Sequence, residues 1–176
     1  MRLLAGMFAL LALTACASQI RSENSGQQSF APPTQRLPWM LIGDIYLDGV
    51  AAKNAVDHAL SIAERTEKRV VIVVGTESCH DTQALLQWLK QIGVRTRYGN
   101  EFEFVLVESG KKDRNLDLIA AYGVKAIEGT PGILVLDKDG NLVNPGHVFD
   151  LRTAASQTPE QLKVWFDGYR PRKIYP

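Results

Sequence analysis

Two cysteines in 176 residues, Cys16 and Cys79, are too few for a disulfide framework, so the fold has to stand on its apolar core. Charge of one sign is also missing. With 20 Lys and Arg against 19 Asp and Glu, the chain carries no electrostatic footprint for nucleic acid. The single basic cluster, Arg170-Pro171-Arg172-Lys173, reads as a solvated C-terminal end. No hydrophobic run suits a membrane span: Leu3 to Ala15 falls short of the ~20 apolar residues that spanning needs.

What the N-terminus does have is the order of a signal peptide, with Arg2 ahead of an uncharged apolar stretch and no further charge before Arg21. Its end, Leu13-Thr14-Ala15-Cys16, resembles the bacterial lipobox. That resemblance implies a diacylglycerol on the Cys16 sulfur and cleavage just before it, and Ala17 in the next position points to the outer rather than the inner membrane. Ordinary cleavage after Ala15-Cys16-Ala17, releasing a soluble periplasmic protein, is the alternative. Residues 17–38 carry Ser, Gln, Asn, Gly and three prolines without apolar periodicity, the composition of a flexible tether. Such a coil would hold its cargo roughly 25 Å from the lipid on average and about 70 Å when straight. The expected organisation is a signal peptide at 1–15, a lipidated cysteine and tether at 16–38, and one folded domain at 39–176.

Within that domain Trp39 to Tyr46 is apolar and opens the folded part, as a strand or as a docked extended segment. Ala52, Ala55, Val56, Ala59, Leu60 and Ala63 then recur at helical spacing, and Val70 to Val74 form an unbroken apolar run suited to a strand buried on both faces. Leu85, Trp88, Leu89 and Ile92 mark one stripe of a second helix, and Phe102, Phe104 and Leu106 alternate as a second strand. A helix from about Arg114 ends at Gly123, a residue free to adopt the left-handed backbone of a helix stop. Ile133 to Leu136 reads as a strand, Asp137 to Gly140 as a turn and Asn141 to Val143 as a return strand. Thr158-Pro159-Glu160-Gln161 is an N-cap, a first-turn proline and a capping-box glutamine, opening a helix that turns Leu162, Trp165, Phe166 and Tyr169 inward.

Strand-helix-strand-helix followed by hairpin and helix, with Cys79 at the first strand-to-helix turn and Thr130-Pro131 before a strand, resembles the thioredoxin-like family from about Ala51 to Tyr169. The resemblance implies an α/β, three-layer fold with a central mixed sheet flanked by helices and an extra N-terminal helix. The stretches Ser78-Cys79-His80-Asp81-Thr82 and Gly110 to Asn115 look like a periplasmic subgroup of that family. Three departures matter. Thr82 stands where a thioredoxin has its resolving cysteine, Ser78 where it has a tryptophan, and Val73 where many bury a proton-relaying carboxylate. A peroxiredoxin is disfavoured, because its cysteine closes a T-x-x-C motif, the reverse of the C-x-x-T found here.

Just before a helix, the Cys79 sulfur would face free backbone N–H groups and the positive end of the helix dipole, both of which favour the thiolate. Thr82, one turn on, adds a hydroxyl, and a protonated His80 would add charge, whereas Asp81 would oppose the shift if close. The resemblance makes Thr130-Pro131 a cis-proline loop facing the cysteine, with the backbone of Thr130 open to an extended substrate. Three readings follow. The first is a tethered monothiol oxidoreductase that exchanges with protein thiols or disulfides of the cell envelope, without a cofactor, as a monomer. The second is a peptide-binding or chaperone-like module, and the third is copper handling through Cys79, His80 and His147. His58, opposite the apolar stripe of its helix, is expected at the surface.

Overall fold

The computed structural model describes residues 46–172. The signal peptide, the Cys16 lipid site and nearly all of the tether-to-domain junction expected from the sequence lie outside the described residues. Element order is α1 (Gly49–Thr66), β1 (Arg69–Gly75), α2 (His80–Leu89), α3 (Ile92–Tyr98), β2 (Phe102–Glu108), α4 (Leu116–Ala120), β3 (Gly132–Leu136), a 3-10 turn (Ala154–Ser156) and α5 (Pro159–Gly168).

The apolar run Val70 to Val74 makes β1 the centre of a mixed sheet ordered β2-β1-β3. It pairs in parallel with β2, Arg69 opposite Phe102 through Gly75 opposite Glu108, and antiparallel with β3, Val70 opposite Leu136 through Val74 opposite Gly132. Strand alternation sorts the side chains into two cores. Val70, Ile72 and Val74 join Val105, Val107, Leu134 and Leu136 against Ala52, Val56, Ala59 and Ala63 of α1. On the other face Val71, Val73, Phe104 and Leu106 meet Leu85, Trp88 and Leu89 of α2 and Leu162 and Phe166 of α5. Helices on both faces of one sheet give three layers. Each large apolar side chain so buried contributes about 1.5–3 kcal/mol.

Several expectations change. The apolar stripe does not run on to Ile92, which is 82% exposed, because α2 ends at Leu89 and an extended Gln91 starts the separate helix α3. That break brings Tyr98 of α3 into an aromatic cluster with Trp88, Phe102 and Phe166. Strand β2 does not alternate apolar and polar: Val105 and Val107 are buried too, and Glu103 is held by Lys68 at 2.7 Å. The return strand shrinks to a single bridge, Leu136 to Leu142. Beyond it the side chain of Asn144 takes a strand's place, accepting from Val135 N–H at 2.9 Å and donating to Ile133 O at 2.8 Å. Lastly, the C-terminal basic cluster is not wholly solvated, since Arg170 pairs with the buried carboxylate of Glu101.

The helix expected from Arg114 is one short turn, 116–120, followed by Gly123 at φ +82° as its left-handed stop. Ahead of it Asn115 works as a joint. Its Oδ1 accepts from Gly49 N–H at 2.8 Å and its Nδ2 donates to Glu108 O at 2.7 Å, which ties the start of α1 to the end of β2. Leu47 completes that corner by pairing with Val107, so the segment before α1 docks as a one-residue parallel bridge.

Candidate active site

The site lies where β1 ends. After Gly75 the chain turns through Thr76 to Ser78, with Cys79 N–H donating to Thr76 O at 3.1 Å, and Cys79 then becomes the N-cap of α2 in an extended conformation. An N-cap is the point at which the first backbone donors of a helix lack internal partners. Cys79 makes no side-chain cap bond of the usual kind, and its sulfur is part-buried.

From the opposite side of the sheet end comes the loop before β3, whose Thr130–Pro131 peptide is cis. Thr130 meets the sulfur twice. The Cys79 thiol donates to Thr130 O at 3.3 Å, and Thr130 Oγ1 donates back to Sγ at 3.1 Å. Pro131 itself is buried, so Thr130 is the residue of the pair that remains partly accessible.

Thr82 closes the site from the core. It is fully buried, and its hydroxyl has no well-formed hydrogen-bond partner while the cysteine is a thiol. Gly75 makes this packing feasible: a Cβ there would lie 2.6 Å from Thr82 Cγ2 and 2.9 Å from its Oγ1. An orphaned buried hydroxyl costs about 1–3 kcal/mol, and an anionic sulfur one turn away supplies an acceptor.

These contacts set the acidity of Cys79. Burial alone would raise the thiol, but hydrogen bonds from the Thr130 and Thr82 hydroxyls, with the backbone N–H groups of Thr82 and Asp81, outweigh it and hold the pKa below that of a free cysteine. Asp81 reaches the sulfur through its backbone N–H. Its carboxylate accepts from Ala155 N–H at 3.0 Å and fastens the 3-10 turn to α2. His80 is exposed at the first position of α2. His58 is exposed as its helical position implies. His147 binds Asp150 at 2.9 Å, and among the described residues no three His, Cys, Asp or Glu side chains gather as a metal site.

One neighbour escaped the sequence reading. Tyr46 has a buried hydroxyl without a partner, and its pKa is raised by burial first and then by the charges of Glu108, Cys79 and Glu77. It lines a cavity of about 300 Å³ with Glu77, Gln83, Leu86, Gln87 and Lys90 along α2. The sequence places it only at the end of the apolar run Trp39 to Tyr46, and its approach to α2 follows from Leu47 docking beside Val107 of β2.

A sheet of this order, with a cysteine capping the first crossover helix and facing a cis-proline loop, defines the thioredoxin-like fold, and this chain belongs to it. Among solved structures it is similar to a disulphide isomerase from Xylella fastidiosa Temecula1, at 28% identity and a TM-score of 0.65, over 70% of this chain and 94% of that one. A poplar thioredoxin h is matched at 18% identity and a TM-score of 0.41, covering 60% of this chain and 93% of that one. No family model and no curated protein matches the chain.

Proposed function

We propose that this protein is a thiol-disulfide oxidoreductase acting through Cys79 as a single nucleophile. The observation that carries this reading is the sulfur's environment, in which two threonine hydroxyls and the donors at the start of α2 all favour the thiolate. The disulphide isomerase it is similar to supports the same class of chemistry. The Cys79 thiolate attacks one sulfur of a substrate disulfide, a new Sγ–S bond forms, the old S–S bond breaks, and the departing thiolate takes up a proton from solvent. With Thr82 in the resolving position, release needs a thiolate from outside the chain, which attacks the mixed disulfide and frees Cys79 again. Thr130 presents the backbone on which an extended substrate pairs, and Pro131 shapes that presentation.

The lipobox-like Cys16 and the polar stretch after it support a location on the periplasmic side of a bacterial membrane, anchored through lipid, with envelope proteins as substrates. The experiment is capture of covalent complexes through Cys79 from the cell envelope, with the mass of the mature chain read in parallel. Mixed disulfides with envelope proteins, on a chain that starts at a lipidated Cys16, are the expected result. If Cys79 forms no mixed disulfide yet the protein still retains extended peptides, the second reading, a peptide-binding module, replaces the first; it is favoured by the lack of a second thiol beside Cys79.

A further inference from the structure

We propose that the groove along α2 beside Cys79 is a subsite for a basic side chain of the substrate, so that disulfides whose reactive cysteine stands next to an arginine or a lysine are attacked in preference to others. The inference rests on the exchange reading above and adds a substrate class to it.

Helical spacing ties the groove to the nucleophile. Gln83, whose backbone N–H donates to Cys79 O at 2.9 Å, lies one turn on, and Leu86, Gln87 and Lys90 follow along the same face of α2. Tyr46 walls the opposite side and Glu77 stands at the cysteine end of a cavity of about 300 Å³. One helical turn is about 5.4 Å, so a residue next to a cysteine bonded to Cys79 reaches this space with its side chain. The groups that hold the thiolate, on Thr130, Thr82 and Asp81, are not among its walls, so the groove fills without displacing them.

The chemistry of the walls selects a cation on an aliphatic stem. Tyr46 and Leu86 offer apolar surface to the stem, while the exposed Glu77 carboxylate and the amide oxygens of Gln83 and Gln87 offer acceptors to the head. Gln83 already donates through Nε2 to Glu77 O, and its amide oxygen remains as an acceptor. The charges acting on the Tyr46 hydroxyl, those of Glu108, Cys79 and Glu77, are all negative, and with burial they keep the phenol neutral. Glu108 is held by Gly110 N–H at 2.7 Å and Asp81 by Ala155 N–H, which leaves Glu77 to meet an incoming head. Lys90 stands about 10 Å of helix beyond Gln83, at the end away from the sulfur. A cation seated at the near end also lies beside Cys79 and favours its thiolate, so the basic neighbour assists attack as well as binding.

The test uses the full chain and short synthetic peptides whose single cysteine is joined to a chromogenic aromatic thiol. Attack by the Cys79 thiolate forms the bond to the peptide sulfur and releases the coloured aromatic thiolate, so its appearance reads the rate. Arginine, its neutral isostere citrulline, or glutamate is placed in turn at each residue flanking the cysteine. At one position arginine is expected to react about two- to fivefold faster than citrulline at low salt, the range of one partly exposed ion pair, with glutamate slower than both. That ratio should shrink as ionic strength rises, and should fall towards unity in Glu77→Gln while persisting in Glu64→Gln, which removes an exposed carboxylate of α1 instead. Equal rates for arginine and citrulline at every position, a preference that survives Glu77→Gln, or an equal loss in Glu64→Gln would overturn the subsite while leaving exchange intact. No attack on any peptide would overturn the exchange reading with it.

Discussion

Two helices of this protein start in opposite ways. At α5 the cap is complete: Thr158 Oγ1 accepts from Gln161 N–H at 3.2 Å, Gln161 Oε1 accepts from Thr158 N–H at 2.8 Å, and Pro159 fills a first-turn position where no donor is needed. At α2 the capping residue is Cys79, which makes no such bond, and the nearby Thr82 hydroxyl is buried without a partner. The first arrangement stabilises the neutral fold. The second leaves donors idle until a negative charge arrives, and the difference between them separates a helix end that holds structure from one that holds chemistry.

The sharpest way to break this contrast is to give α2 an ordinary cap. Cys79→Ser abolishes exchange altogether, and because serine is a good N-cap it is expected to hold or raise stability by up to about 1 kcal/mol in denaturant titration. Next in size is Thr82→Val, which keeps the shape against Gly75 and removes the idle hydroxyl. The Cys79 ionisation midpoint is expected to rise by about one to two pH units, the worth of a hydrogen bond to a charged group, with the fold no less stable. Thr158→Ala, the matching change at α5, should do the reverse: a loss of about 0.5–2 kcal/mol in stability and no movement of the Cys79 midpoint.

The smallest effect is a pH dependence. Cys79 is an acid whose folded pKa is depressed, so its contribution to stability is fully present above the unfolded thiol value, about 8.5, and is lost as pH falls through the folded one. The stability of the parent protein relative to Cys79→Ser should therefore grow as pH rises through that window. A difference that stays flat there would mean the helix start does not favour the anion.

Much of this contrast could be read from the chain before its folding was known, because both helix starts are written in local residues. Thr158 to Gln161 spell the capping box, and Cys79 falls between an apolar strand and a helix stripe. The central strand was legible for a similar reason: a run such as Val70 to Val74 fits few places other than the middle of a sheet. What the sequence hid depends on partners far along the chain. Asn115 reads as a polar loop residue until Gly49 and Glu108 converge on it, Asn144 until its amide pairs with Ile133 and Val135, and Arg170 until Glu101 is buried beside it. At the site itself the sulfur and its helix were legible, whereas the double contact with Thr130 depends on a loop 51 positions away.

The claim on which the rest depends is that Cys79 is held as an anion at neutral pH more readily than a free cysteine. Its rate of alkylation by iodoacetamide across pH tests that directly. An inflection below the free-thiol value is predicted, moving upward in Thr82→Val and unchanged in Thr158→Ala. An inflection at or above the free-thiol value in the parent protein would contradict it.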